Sequence, residues 1–202
     1  MFKLSEIQED ALKEAINISI GKAAASLNQM IKEEIFLSVP RVKFAKEKDA
    51  LGELKLGPEK ELSYVSQKFK GTYLDTEAML LFAETDSLEL VKLFLGQHIN
   101  IEEMSSLEHE AVAEIGNIIL NSCMASLANI LHDEISGTIP EFVACKAKNI
   151  FKMGEKETVE QEILIIFIDF NIKTKEIQGY VILVLDLDSI EVFLNRLLKN
   201  LT

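Results

Sequence analysis

The sequence predicts an α/β fold in which the second half of the chain repeats the first, with four main helices. Two observations support this prediction. Sliding the chain against itself by one hundred positions aligns identical residues, and each half runs from a long helical pattern through extended apolar segments to a shorter helical pattern. The matches include Glu14 with Glu114, Asn17 with Asn117, the ASL triplets at 25–27 and 125–127, and Pro40 with Pro140. We expect a single domain, residues 1–202, made of repeats at about 1–100 and 101–202 that share a pseudo-two-fold axis.

The composition is that of a globular protein. Of the 202 residues, 48% are hydrophobic and 27% are charged, which is enough for one well-buried core. The net charge of -12 argues against a nucleic-acid partner, because phosphates would be repelled. The N-terminus has no signal-peptide pattern, and the apolar stretches 163–168 and 180–185 are shorter than the roughly 20 residues that span a bilayer. We therefore expect a cytoplasmic protein with no membrane insertion.

The cysteines and histidines predict neither a metal site nor a catalytic thiol. Cys123 and Cys145 lack a CxxC spacing and an adjacent histidine, so we interpret them as buried small apolar side chains in a reducing compartment. A functional thiol is the alternative interpretation. His98, His109 and His132 show no metal-ligand spacing.

Capping signals predict where the long helices begin. Ser5 with Gln8, and Ser105 with Glu108, have the spacing of capping boxes. Each helix should end before its proline, in "FLSVPRVKF" and "SGTIPEFVA", where an extended segment begins.

Apolar and turn patterns predict the remaining elements. Strand patterns lie at 64–73, 77–83, 162–170 and 178–185, with a hairpin loop at 171–176 between the last two. Ser87 and Ser189 are expected to cap the shorter helices. The charged stretch 45–61 is compatible with a loop or a short hairpin.

A polar stripe recurs on both long helices. Positions 10, 14, 17 and 21 are spaced by four, three and four residues, so they share one helix face, and positions 110, 114, 117 and 121 do the same. An ordinary solvated face is one interpretation. Asparagine is a mediocre helix former, however, and the Glu–Asn pair occurs twice, which favours a function. Pairing of the asparagines within the interface between the halves is the structural alternative.

The two blocks resemble a known signature. Asp10-x3-Glu14-x2-Asn17-x22-Pro40 and Glu110-x3-Glu114-x2-Asn117-x22-Pro140 are similar to the motif of the CheC family of chemotaxis phosphatases, which includes CheX and FliY. The duplicated layout resembles a two-motif CheC. Glu110 stands where the family has Asp or Ser, and the glycine before the first asparagine is missing. The resemblance implies two long motif helices side by side on an antiparallel sheet, with shorter flanking helices.

The resemblance also implies an activity, hydrolysis of the aspartyl phosphate of a CheY-like response regulator. Asn17 and Asn117 would orient the attacking water, and Glu14 and Glu114 would pair with the regulator's phosphate-contacting lysine. Asp10 and Glu110 would tune docking to the regulator, and Pro40 and Pro140 would be structural. The regulator would supply Mg²⁺, so no cofactor or metal of the chain's own is expected.

Other functions stay open at this stage. A non-catalytic adaptor or a flagellar-switch-like component would dock a regulator without turnover. The resemblance adds CheD, a receptor deamidase, as a candidate partner. CheX is a one-motif dimer, whereas this chain carries both motifs, so we expect a monomer.

Overall fold

The computed structural model describes residues 5–31, 34–95, 101–151, 162–172, 175–185, 192–196 and 199. The helices are α1 (Glu6–Ile31), α2 (Ala50–Glu53), α3 (Glu84–Leu95) and α4 (Ile101–Leu131), and residues 192–196 are also helical. The strands are β1 (Ile35–Lys46), β2 (Glu61–Lys70), β3 (Asp75–Ala83), β4 (Ser136–Gly137), β5 (Glu141–Lys146), β6 (Glu162–Ile172) and β7 (Lys175–Leu185).

The strands form one antiparallel sheet that mixes the two repeats. Its order is β1-β6-β7-β3-β2, and β4 and β5 both pair with the outer side of β2. The pair β3–β7 at the centre takes one strand from each repeat. Each outer strand also pairs with the other repeat, β1 with β6 and β5 with β2. This arrangement confirms the predicted α/β class with an antiparallel sheet.

The two long helices lie side by side on one face of the sheet, as predicted. The Ser126 hydroxyl of α4 donates a hydrogen bond to the Ala15 carbonyl of α1 at 3.1 Å, which joins the N-terminal half of α1 to the C-terminal part of α4. Their inward faces bury an apolar cluster against the sheet that includes Leu12, Ile16 and Ile115. Such burial contributes about 25 cal/mol per Å² of apolar surface removed from water.

The opposite face of the sheet is also covered over much of its area. Leu62, Met79 and Ile165 belong to a second buried cluster that includes residues of α2. Since β6 and β7 bury both faces, their side chains have no polar alternation. This explains the uninterrupted apolar stretches in the sequence.

The capping prediction is confirmed for the first long helix and wrong for the second. The amide of Gln8 donates to the Ser5 hydroxyl oxygen at 3.3 Å, and the Ser5 amide donates to Gln8 Oε1 at 2.7 Å. Helix α4, however, begins at Ile101, so Ser105 lies inside it. The preceding residues, IEEM, are compatible with a helix. A capping pattern marks the start of a helix only where the residues before it are not themselves helical.

The shorter elements follow the predictions in part. The four strand predictions are confirmed, with ends that differ by a few residues. Helix α3 begins at Glu84, so Ser87 is inside the helix and the predicted cap is wrong, while Ser189 lies outside the described residues. The stretch 45–61 forms a 3-10 turn and α2 rather than a hairpin. Strands β6 and β7 extend to Ile172 and from Lys175, so they take up most of the predicted loop at 171–176.

Among the residues that the structure describes, one helical segment is long and apolar enough to cross a bilayer by length and composition. It covers residues 109–131 of α4, with a mean hydropathy of 1.4, and half of its most apolar window is buried inside the fold. Packing on the sheet and on α1 accounts for this apolar character, which is a common property of core helices.

Candidate functional site

The first motif lies on the outward side of α1, with its asparagine anchored to β1. Asp10 and Glu14 are exposed, and Asn17, one turn further, is half-buried. The backbone N–H of Val39 donates to Asn17 Oδ1 at 2.9 Å. This contact explains the long fixed spacing in the motif, because the residue bonded by the asparagine immediately precedes Pro40. In the described part of the chain, Nδ2 of Asn17 donates to no protein group.

Pro40 lies inside β1 at an irregularity of the strand pairing. The register of β1 against β6 shifts between Ser38 and Arg41. Proline has no N–H and is tolerated in edge strands and at bulges, which describes this position. The proline is thus compatible with the turn of backbone that directs the Val39 N–H towards α1.

The second motif has the same outward stripe and a different anchor. Glu110 and Glu114 are exposed and Asn117 is half-buried. Oδ1 of Asn117 accepts hydrogen bonds from Asn121 Nδ2 at 2.8 Å and from Gln67 Nε2 at 3.4 Å. Again, Nδ2 of the asparagine donates to no group among the described residues. Both motifs therefore hold the carboxamide oxygen within the protein and leave the nitrogen free to donate outward.

The chain after the second helix takes a different route from its counterpart. The backbone of Thr138 pairs with Lys68 of β2, its N–H donating to the Lys68 carbonyl at 2.9 Å. Ile139, which corresponds to Val39, is 84% exposed, and β5 begins only after Pro140. Within the segments that the structure describes, no backbone N–H therefore takes the position at Asn117 that Val39 takes at Asn17.

Gln67 on β2 is a residue of the second motif's surroundings that the sequence patterns did not single out. Its side chain is 2% exposed and connects Asn117 with the Thr138 carbonyl, to which Nε2 donates at 2.9 Å. The available signal was a glutamine between Val65 and Phe69, which fill the buried alternate positions of the strand. A buried polar residue on a core face is informative in a way that an exposed one is not.

Gly116 brings α4 close to the sheet at this point. A Cβ at this position would lie 2.6 Å from Cβ of Val65, so only glycine permits the approach of helix to strand. The corresponding residue of α1 is Ile16, which is fully buried. The glycine missing from the first motif thus reflects a real difference in how closely the two helices approach the sheet.

An open groove of about 400 Å³ separates the two motif helices on their outer side. Its lining comes from both helices, namely Ala11, Glu14, Ala15, Ile18, Ser126, Asn129 and Ile130. Ile18, in the middle of α1, is 57% exposed at this groove. Glu14 therefore stands beside an apolar surface available for contact with another molecule.

Burial and packing account for the cysteine and histidine side chains away from the motifs. Burial raises the pKa of the Cys123 thiol to about 12, and Cys145 is half-buried with a raised pKa, chiefly from burial. The His109 ring stacks on Phe142 with 4.2 Å between centroids, and His98 lies outside the described residues. Among the residues that the structure describes, no three His, Cys, Asp or Glu side chains group as metal ligands would.

Comparison with known families agrees with this geometry. Residues 7–44, which contain the first motif from Asp10 to Pro40, match the model of the CheC-like family. This part of the first repeat is thus similar to the CheC-like family. This match confirms, for the first Glu-x-x-Asn stripe, the resemblance that the sequence indicated.

Solved structures share this fold over most of the chain. Thermotoga maritima FliY superposes with a TM-score of 0.75 at 19% identity, covering 98% of this chain and 100% of that one. A chain of the FliM–SpeE complex from H. pylori gives 0.70 at 12% identity, with 98% of each chain covered. A chain of the CheX–CheY–BeF3–Mg²⁺ complex from Borrelia burgdorferi gives 0.51 at 16% identity, covering 83% and 96%. At these identities the likeness concerns the fold.

Proposed function

We propose that this chain is a phosphatase that hydrolyses the aspartyl phosphate of a CheY-like response regulator. The observation that supports it is the doubled carboxamide. In each repeat an asparagine is anchored through its oxygen, keeps its nitrogen free to donate outward, and lies one helical turn after an exposed glutamate. An ordinary solvated helix face has no reason to hold an asparagine in this orientation twice.

The chemistry needs little more than a positioned water. Phosphoryl transfer passes through a loose transition state in which positioning matters more than deprotonation of the nucleophile. The outward Nδ2 of Asn17 or Asn117 would donate to the water oxygen and hold it in line with the phosphorus. The second lone pair of the water would attack the phosphorus as the bond between the phosphorus and the aspartyl oxygen breaks. The aspartate would leave as a carboxylate, and the water's proton would pass to the phosphoryl group or to solvent.

The glutamates would set how the regulator docks. Glu14 and Glu114 are exposed one turn before each asparagine, within reach of a regulator lysine. A charge-assisted contact that is desolvated in a complex is stronger than a surface ion pair. Asp10 and Glu110 would add attraction at the rim, and the chain's net charge of -12 favours a partner with a basic patch. The regulator would bring Mg²⁺, so the chain needs no metal of its own.

One solved complex supports a regulator as partner. A CheX of the same fold crystallises with CheY, BeF3 and Mg²⁺. The exposed Ile18 and the groove beside Glu14 offer an apolar contact next to the charged stripe, which suits a small protein docking across both helices. A cytoplasmic location follows from such a partner.

A non-catalytic binding role is the second candidate. Structures of FliM with FliG and of FliM with SpeE have this fold, so the fold also occurs in protein assemblies. An adaptor would dock a regulator, or CheD, through the same surfaces without turnover. The two candidates differ in one measurable property, the lifetime of the regulator's phosphate.

The deciding experiment measures decay of a phosphorylated CheY-like regulator with wild type, Asn17→Ala, Asn117→Ala and the double variant. A phosphatase shortens the lifetime, and the double variant restores the decay of the regulator alone. Glu9→Ala, on the same helix but away from the stripe, is a matched control that should keep the activity. If wild type binds the regulator and leaves its phosphate lifetime unchanged, the adaptor role replaces the enzyme.

A further inference from the structure

Gln67 is a buried polar side chain where the other repeat has an apolar one. Ser66 pairs with Glu141 and Phe167 pairs with Arg41, so the register makes Ile168 the counterpart of Gln67. Ile168 is 1% exposed and packs in the core under the motif helices. Oε1 of Gln67 is buried and has no hydrogen-bond partner in the described part of the chain. An unpaired buried carbonyl is costly, so the glutamine calls for an explanation beyond packing.

Donor and acceptor requirements fix the direction of the Asn117 carboxamide through Gln67. The Thr138 carbonyl can only accept, so the Gln67 atom that faces it at 2.9 Å must be Nε2. The same Nε2 faces Asn117 at 3.4 Å, and a donor there requires the Asn117 oxygen. Asn121 Nδ2 supports the same orientation. The Asn117 nitrogen is therefore directed outward by a relay that begins at a backbone carbonyl.

We propose that Gln67 is a positioning residue of the second site, where it performs the task that the Val39 backbone N–H performs in the first. This inference rests on the proposed function. Gln67 touches no substrate; it acts by holding Asn117 Oδ1 inward so that Nδ2 can donate to the attacking water. The close approach of α4 to β2 at Gly116 is what allows a strand side chain to reach the helix asparagine.

The test uses an Asn17→Ala chain, in which only the second site can act, and compares it with the same chain carrying Gln67→Met. Methionine is close to glutamine in size, so it preserves packing and removes both donated hydrogen bonds. We expect kcat to fall by about threefold to tenfold, the worth of one modest hydrogen bond, while KM stays within about twofold because Glu114 still docks the regulator. Ile168→Met at the counterpart position is the matched control and should leave kcat of this site unchanged. An unchanged kcat in Gln67→Met would overturn the proposal.

A second readout does not depend on turnover. The side-chain amide resonances of Asn117, followed by ¹⁵N NMR in otherwise wild-type protein, should shift towards free-amide values in Gln67→Met and stay in place in Ile168→Met. Resonances that do not move would overturn the proposal that Gln67 positions Asn117, even if the protein is a phosphatase. If the Asn17→Ala chain shows no acceleration, the proposed activity fails at this site, and the NMR comparison alone decides whether Gln67 positions Asn117.

Discussion

At the scale of single residues, the two asparagines reach the same orientation from different partners. A carboxamide oxygen can accept two hydrogen bonds. Asn17 uses one, from the Val39 N–H, whereas Asn117 uses two, from Gln67 and Asn121. Asn17 therefore keeps an acceptor as well as its two donors, while Asn117 offers donors alone.

This difference predicts unequal sites. A water that donates to Oδ1 while accepting from Nδ2 is held by two contacts at Asn17 and by one at Asn117. We expect Asn17→Ala to lose more of the phosphatase acceleration than Asn117→Ala, by roughly the fivefold to tenfold that one modest hydrogen bond is worth. Rates of regulator dephosphorylation at saturating protein measure it. Equal losses would show that the free acceptor has no role.

The substitution Asn17→Asp separates the role of the anchored oxygen from that of the outward nitrogen. Asn17→Asp keeps an oxygen for the Val39 N–H but turns the outward donor into a negatively charged acceptor. In an Asn117→Ala chain we expect acceleration to fall by about tenfold or more, with thermal stability close to the parent. Asn17→Ala should lose activity and also about 1 kcal/mol of stability, because the Val39 N–H is left unpaired. An aspartate variant that stays active would exclude the outward nitrogen as the working group.

At the scale of elements, α4 and α1 differ in how closely they approach the sheet. Gly116 places α4 against Val65, whereas α1 has Ile16 at the same point. Helix position thus decides which group can reach each asparagine, a strand side chain in one repeat and a strand backbone in the other.

Two glycine substitutions test this approach. Gly116→Ala places a methyl group against Val65, so we expect a loss of about 1–3 kcal/mol and a weakened second site. Gly21 of α1 is exposed, and a Cβ added there would meet nothing within 4 Å, so Gly21→Ala should gain about 0.5–1 kcal/mol from helix propensity. Urea denaturation measures both. A neutral Gly116→Ala would mean that the helix moves away at little cost.

Local sequence patterns predicted the helices and strands better than they predicted the residues that hold the two motif asparagines. Helical and strand periodicity is a property of neighbouring residues, so both long helices and the four main strand segments could be predicted. The start of α4 could not, because IEEM continues the helix before Ser105. The contact between Gln67 and Asn117 joins residues fifty positions apart. It depends on strand register and on the distance between α4 and the sheet, and neither can be read from the sequence.

At the scale of the whole molecule, Asp133 connects the two repeats. Its carboxylate accepts the backbone N–H groups of Thr72 and Tyr73 from the first repeat, and that of Glu134 beside it. Burial works to raise the pKa of Asp133, but the three backbone donors outweigh it and hold the pKa below its ordinary value.

The depressed pKa gives a signed prediction for acid stability. The stabilisation is present above the ordinary aspartate pKa of about 3.9 and is lost as the pH falls from there through the lower folded value. Asp133→Asn should cost about 0.5–1.5 kcal/mol at pH 7, since one acceptor becomes a donor facing N–H groups that are partly open to solvent. The gap to wild type should narrow below about pH 4 in denaturation curves. A gap that is independent of pH would assign the loss to packing.

The outer edge of β1 bears on the oligomeric state. Pro40 and the register shift beside it interrupt the row of backbone groups that a second sheet would pair with, and Arg41 adds an exposed charge. We expect sedimentation of a monomer over a wide range of protein concentration. Concentration-dependent dimerisation would contradict this.

The two anchors also differ in mutational robustness. The Val39 N–H survives every substitution at that position except proline, so the first site is buffered against point mutation. The second site depends on two side chains, those of Gln67 and Asn121, and a single codon change removes either of them. The two sites are encoded by separate segments of one chain, so a substitution in one site does not require the same substitution in the other. Among natural variants of this chain, the second site should therefore be the first to decay.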